Sequence, residues 1–294
     1  MSGGRDPTAQ ATRTVRWMSS PAIALLLVTS LVPLALTLYY SLLDFRLLEP
    51  GGGFVGLRNY IGFLSNPMFV GAIVRTLLLV AGVLAITVGL GLTLALLLDR
   101  PMHGVAVVRL LIVSPFFVMP VVSALLWKNL LMNPVSGLFA ALLRIVGLDP
   151  IDWLGTLPLV SIIIIVAWAW LPFATLILLT SLQSIDAEQM EAAKLDGATA
   201  AARLRYLILP HLARPIAVVL LVESIFLLGV FAEIYVTTGG GPGDATTNLS
   251  FLIFAQALLR FDIGAASAGG VVAVIFANLI ALLLARVVGR SFES

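Results

Sequence analysis

Six apolar runs, near residues 21–43, 70–98, 105–127, 157–183, 214–237 and 264–288, limit the fold of this chain more than any other feature. Each is long enough for an α-helix to cross the hydrocarbon core of a bilayer, which takes ~20 mainly apolar residues. Of 294 residues, 60% are hydrophobic and 11% charged, whereas soluble domains carry about 25% charged residues. A water-soluble fold of this length has no interior large enough for so much apolar surface, so the solvent for most of the chain is lipid. Backbone groups in hydrocarbon must bond internally, which predicts a helix for every run. That includes Ile162-Ile163-Ile164-Ile165-Val166, whose β-branched side chains would favour a strand in water. The expected fold is all-α, a polytopic membrane protein with six transmembrane helices.

The division expected along the chain is an N-terminal tail over 1–20, a spanning domain over 21–288 and a C-terminal tail over 289–294. The tail is expected to be disordered over 1–14. Arg5, Arg13 and Arg16 precede the first run. That run is too long for the apolar stretch of a secretion signal, so it reads as a retained span. Pro172 predicts a kink in the fourth run. The formal net charge is +2 and the basic residues flank the runs, which argues against a nucleic-acid partner. Cysteine is absent, which removes disulfides and thiolate chemistry. The two histidines, His103 and His211, lie in separate loops, which argues against a histidine metal site.

Lysine and arginine set the expected sidedness. Arg5, Arg13, Arg16, Arg100, Arg109, Lys194, Arg203, Arg205, Arg214, Arg286 and Arg290 fall on one set of alternate segments. Arg46, Arg58, Arg75, Lys128, Arg144 and Arg260 fall on the other. The richer set, with both termini and the 184–214 loop, is expected in the cytoplasm. The opposite loops, 44–69, 128–156 and 238–263, carry the glycine-rich turns Gly51-Gly52-Gly53 and Gly239-Gly240-Gly241-Pro242-Gly243. Such turns suit close approach by a partner or a tight return into the membrane.

The longest charged loop, 184–213, has a structure of its own. Asp186 followed by Gln189 has the form of a capping box and predicts a helix over 187–195. Gly197 supplies the left-handed residue that ends it. A second helix is expected over 199–207, with Pro210 blocking simple continuation into the fifth run. Ala192, Ala193 and Ala198 keep the loop surface low, Glu191 and Asp196 carry charge, and Met190 and Leu195 offer apolar anchors. The pattern suits a docking surface for another protein, or an amphipathic helix lying on the membrane.

Within the runs, Glu223 lies about nine residues into the fifth, ~13 Å along the helix axis. A carboxyl group at that depth either meets solute or bonds a neighbouring helix. Glu233 and Tyr235 lie near the outer end of the same run, and Asn278 in the sixth reads as interhelical bonding. Trp127 and Trp168 read as packing or interfacial anchors.

The loop resembles the EAA motif of permease subunits in binding-protein-dependent ABC importers. The pattern is Glu-Ala-Ala, three residues, Gly, nine residues, Ile, one residue, Leu-Pro. Glu191-Ala192-Ala193, Gly197 and Leu209-Pro210 stand at that spacing, with Leu207 in place of Ile. Ser181-Leu182-Gln183-Ser184-Ile185 and Gly240-Gly241-Pro242 resemble the carbohydrate-uptake branch. Trp170-Leu171-Pro172-Phe173-Ala174-Thr175-Leu176 and Phe261-Asp262-Ile263-Gly264-Ala265-Ala266-Ser267-Ala268-Gly269-Gly270 resemble mannitol and sorbitol permeases.

The resemblance implies a bacterial inner-membrane location and a non-catalytic subunit. It implies a second permease, forming a heterodimer, two ATPase subunits and an extracytoplasmic solute-binding protein. This sequence has no Gly-x-x-x-x-Gly-Lys-Ser/Thr loop, so ATP and Mg would sit on the ATPase and no cofactor on this chain. Glu191, Ala192, Ala193, Asp196 and Gly197 would form the joint with the ATPase. By motif spacing the solute path would include Trp170, Phe173, Glu223, Leu227 and Val230. Leu227 and Val230 are apolar and could shape a cavity without reading hydroxyls. The alternatives are a stand-alone secondary carrier, which would need an ion site and usually an internal repeat, and a membrane enzyme. The spans hold no paired carboxylates, metal cluster or nucleophile–base pair for the latter.

Overall fold

The computed structural model describes residues 7–49, 51–100 and 103–293. Residues 1–6 of the expected tail, Ser294, and the side chains of Arg13, Arg16 and Arg290 lie outside the description. In chain order the helices are α1 (Pro7–Ser41), α2 (Arg58–Leu64), α3 (Pro67–Leu98), α4 (Val105–Val113), α5 (Pro120–Leu126), α6 (Leu138–Ile145), α7 (Trp153–Thr156), α8 (Pro158–Leu182), α9 (Ala187–Leu195), α10 (Ala200–Arg203), α11 (Leu209–Leu227), α12 (Ala232–Thr237), α13 (Leu249–Phe254) and α14 (Ile263–Glu293). Among the described residues β structure is limited to isolated bridges. The all-α expectation holds, and Ile162 to Val166 are helical. Part of the stretch expected to be a disordered tail is helix, since α1 begins at Pro7. Once a span has nucleated, extending it costs little.

Among the described residues five helices are long and apolar enough to cross a membrane: Ser19–Ser41, Pro67–Leu98, Pro158–Leu182, Ala200–Leu227 and Ile263–Leu284. The third run differs from a simple span. It forms two arms, Val105–Phe117 and Pro120–Leu131, that meet at 108°, and counting the pair as one gives six. Pro120 is the cause. It opens the second arm without a donor of its own and pushes Met119 into an extended conformation, ψ 142°.

The fifth run also differs. Helix continues through Pro210 from Ala200 to Leu227, because a π turn at Leu204–Ile208 precedes it. The wider turn makes room for the ring, and proline at the start of α11 leaves no N–H unpaired. The helix then stops at Leu227, and α12 starts after a four-residue break. Glu223 therefore sits near the end of α11 rather than in the middle of an unbroken span.

The chain divides into two compact units. In the unit of Met1–Ser65 with Gln256–Val272, the end of α1 is tied to α2. The Ser41 and Tyr60 hydroxyls are 2.7 Å apart, and Asn59 Nδ2 donates to the Ser41 and Leu43 carbonyls at 2.9 and 2.8 Å. The two chain segments are stitched by the Leu47 N–H to the Phe261 carbonyl, 2.8 Å, and the Gly264 N–H to the Phe45 carbonyl, 3.0 Å. Gly264 is required there, because a Cβ would collide with the Leu43 carbonyl.

In the unit of Asn66–Ala255 with Ala273–Ser294, α3 and α8 pack along their lengths with α11 against both. The main core joins Leu79 and Val83 to Ile162 and Val166, and to Leu227, Val230, Ile234 and Phe251. Gly91 lets α3 approach α8, since a Cβ there would stand 3.1 Å from the Ala174 Cβ. Trp127 and Trp168 pack edge to face, centroids 5.9 Å apart, as the anchor reading expected. Among the described residues Asn278 bonds within its own helix, its Nδ2 donating to the Val274 carbonyl at 2.8 Å.

Asn248 holds the break after α11 in place. Fully buried, it donates to the Val230 carbonyl at 2.6 Å and accepts the Phe251 N–H at 2.8 Å as the cap of α13. Asn248→Ala removes both bonds and strands two backbone groups. The expected cost is roughly 2–3 kcal/mol, read as a lower unfolding temperature in detergent. Asn248→Asp keeps the cap acceptor and should lose less.

Candidate functional site

The first part of the 184–213 loop, through Gly197, folds as its sequence suggests, whereas the helix expected over 199–207 is α10 followed by the π turn. Asp186 Oδ1 accepts the Glu188 N–H at 3.0 Å and opens α9. Gly197 stands at φ +76°. The Gly197 N–H reaches the Lys194 carbonyl at 3.1 Å and the Ala198 N–H the Ala193 carbonyl at 3.0 Å. That pair of bonds is the Schellman closure, which needs a left-handed residue where Gly197 sits. Thr199 Oγ1 accepts the Ala202 N–H at 3.2 Å and opens α10. Arg203 Nη1 donates back to the Ala198 carbonyl at 2.6 Å and stiffens the bend.

Glu191, Ala192, Asp196 and Gly197 are exposed, and Ala193 is half-buried. The two expected anchors part company. Met190 is half-buried and packs with Leu182, Ile208 and Leu212, tying α9 to the spans. Leu195 is 89% exposed and is the one that can meet a partner. Beside α9 runs a groove of about 280 Å³ in which Asp99, at the end of α3, faces the same space as Glu191 and Lys194. Reading the loop alone does not reveal Asp99, because it lies in a different loop.

The residues expected on the solute path fall into two groups. Trp170 and Phe173 form a ring cluster with Phe116 and Phe226. Trp170 lies 5.9 Å from Phe173, 5.9 Å from Phe116 and 5.3 Å from Phe226, between centroids. Phe116 and Phe226 are 44% and 61% exposed. Phe116 comes from the bend of the third run, which is why spacing along the fourth and fifth runs does not find it.

Glu223, Leu227 and Val230 are buried instead. Leu227 and Val230 belong to the apolar core. Glu223 Oε2 accepts from Thr87 Oγ1 at 2.7 Å, and its Oε1 is buried without a partner. Thr87 is a polar residue inside the second run, a signal of the kind that singles out Glu223. Glu233 is also buried, whereas Tyr235 is half exposed. An uncovered Glu223 could accept a hydroxyl, and the ring cluster could lie against C–H faces.

Comparison with known proteins agrees with this architecture. Residues 85–294 match the family described as binding-protein-dependent transport system inner membrane component. The chain is 38% identical over 266 residues, 90% of its length and 86% of the relative's, to the probable ABC transporter permease protein y4oQ of Sinorhizobium fredii. It is also 38% identical over 240 residues, 81% of each chain, to the trehalose/maltose transport system permease protein MalF of Thermococcus litoralis. A crystal structure of a bacterial ABC transporter involved in import of the acidic polysaccharide alginate has a similar fold, with TM-score 0.80, 22% identity and 96% of each chain covered. The chain belongs to the family of inner membrane components of binding-protein-dependent transport systems.

Proposed function

We propose that this chain is the permease subunit of an ABC importer for a sugar or polyol, working without catalysis of its own. A second, different permease completes the pore, and an extracytoplasmic binding protein delivers the solute. Two ATPase subunits, carrying ATP and Mg, drive the cycle from the cytoplasmic side, where both termini lie. The spanning domain covers 21–288, between short tails. One observation carries the reading: the Glu-Ala-Ala…Gly…Leu-Pro spacing coincides with a rigid, exposed helix–glycine–helix joint whose apolar tip is Leu195. The relative named for trehalose and maltose supports a carbohydrate solute. The 170–176 and 261–270 segments support a polyol.

In this reading Glu191, Ala192, Ala193, Asp196 and Gly197 seat the joint in the ATPase, and ATPase closure tilts the spans as rigid bodies. Trp170 and Phe173 offer ring faces to the solute. Glu223 reads hydroxyls once uncovered, and Leu227 and Val230 close the path when it is shut.

Three outcomes test the reading. Leu195→Ala is expected to weaken association with the ATPase about tenfold, from ~1.5 kcal/mol of lost apolar burial, without lowering the unfolding temperature. Met190→Ala should do the reverse. Replacing Glu191 and Gly197 together should leave ATP hydrolysis running while transport falls at least about tenfold, ~1.4 kcal/mol in coupling. Unchanged transport in that double variant would remove the coupling role. Labelled mannitol and sorbitol are expected to bind the cognate binding protein more tightly than disaccharides, and the opposite order would exclude a polyol solute.

A further inference from the structure

A polar pocket of about 260 Å³ in the unit of Met1–Ser65 with Gln256–Val272 belongs to neither feature above. Its polar lining is Asp44, Arg46, Arg58, Asn59, Gln256 and Asp262. The loops that supply it fall on the side expected to be extracytoplasmic. We propose that this pocket is a second solute site on the outer side, taking an open-chain polyol or a comparably neutral, hydroxyl-rich molecule. The proposal rests on the sugar or polyol reading for its solute class and side.

The chemistry of the lining selects the ligand. Its two carboxylates and two guanidiniums balance, and Arg46 already stands 3.7 Å from Asp44 and 3.6 Å from Glu49. An ionic ligand would face one like charge for each opposite one. A hydroxyl both donates and accepts, so it can use carboxylates, guanidiniums and amides alike. Gln256 Oε1 is buried in this structure without a hydrogen-bond partner, and a ligand hydroxyl would supply the missing donor. Asn59 spends its Nδ2 on the Ser41 and Leu43 carbonyls, which leaves Oδ1 as its acceptor. Asp262 Oδ1 takes the Ala265 N–H at 2.9 Å, which leaves Oδ2. The aromatic residue in the lining, Phe63, is 1% exposed, so it offers no ring face against which a pyranose could stack. An acyclic polyol has no flat face to satisfy.

The pocket is also held ready. Besides the stitches through Leu47 and Gly264, the Asp262 N–H bonds the Gln256 carbonyl at 3.0 Å. Between them Phe261 stands at φ +57°, the one non-glycine residue with positive φ among the described residues. A bulky side chain adopts that conformation at a cost, and such strain gathers at sites where a binding geometry is fixed in advance.

The test is equilibrium binding of radiolabelled mannitol, sorbitol and trehalose to the purified, assembled transporter without binding protein. Wild type should bind mannitol or sorbitol saturably. Gln256→Ala and Arg58→Ala should each weaken that binding at least about tenfold, and Arg58→Lys, which keeps a donor, should restore part of it. The Arg58 side chain is exposed, so its replacement carries the test if Gln256→Ala does not fold. No saturable binding to wild type, or unchanged binding in a folded Arg58→Ala, overturns the proposal. Loss of binding-protein association in Arg58→Ala, with no binding of free solute, also overturns it and makes the pocket a protein contact. ATP-driven uptake into proteoliposomes reads the parent function separately. Uptake of a sugar or polyol with unaltered solute binding in both variants removes only the pocket, whereas no uptake of any of the three removes the parent reading.

Discussion

Every backbone N–H and carbonyl placed in hydrocarbon needs a partner within the protein, and this requirement shapes the fold wherever a helix breaks. Few side chains stand in for the lost helical bonds, and each is polar and well placed. Lys128 Nζ donates to the Val236 and Thr237 carbonyls, both at 3.0 Å, and closes the end of α12. Ser250 Oγ donates to the Leu228 carbonyl at 2.6 Å, and Asn248 Nδ2 donates to that of Val230. Thr76 Oγ1 accepts the Leu249 N–H at 2.9 Å, which anchors the start of α13 on α3. The break after α11 is therefore a built feature, and a run that reads as continuous in hydropathy can fold as two helices without exposing backbone.

The same bonds change the weight of the charge count. Six basic residues stand on the side expected to be extracytoplasmic, and four of them are occupied locally. Arg46 lies near Asp44 and Glu49, Arg75 Nη2 pairs with Asp244 at 2.8 Å, Lys128 caps α12, and Arg144 donates to the Val135 and Pro134 carbonyls. A lysine or arginine consumed in this way is placed by loop architecture and says little about which side the insertion machinery retains. The same discount applies in the richer set to Arg109 and Arg203, which donate to the Leu98 and Ala198 carbonyls at 3.2 and 2.6 Å.

Legibility followed the range of the interaction. The α9 bounds, the Asp186 cap and the Gly197 stop were legible because each depends on residues within a few positions. The apolar runs were legible because lipid enforces helix over any local β preference. Failures came where two local rules competed or where distant residues met. Pro120 turned a span into a bent pair, while Pro210 interrupted nothing because a π turn preceded it. Hydropathy could not divide the fifth run, since Gly229 and Val230 look no different from membrane residues elsewhere. Thr87 beneath Glu223, Phe116 beside Trp170 and Asp99 beside Glu191 come together only through packing of separate helices.

Packing also sets a condition on the solute path proposed through Glu223. Glu223, Leu227 and Val230 follow one another at i, i+4 and i+7, so they lie along one face of the run and then past its end. In this structure that face is closed against α3 and α8, with Thr87 as the one polar neighbour bonded to the carboxyl group. Contact between solute and Glu223 therefore requires α11 to separate from α3, uncovering Leu227 and Val230 at about 1.5–3 kcal/mol each. A neutral solute recovers only part of that through hydroxyl bonds. On the proposed path, opening needs force from elsewhere, and α11 continues without a break through the π turn into α10, the second helix of the exposed joint. The helix that buries Glu223 is thus the helix a partner at Leu195 could pull.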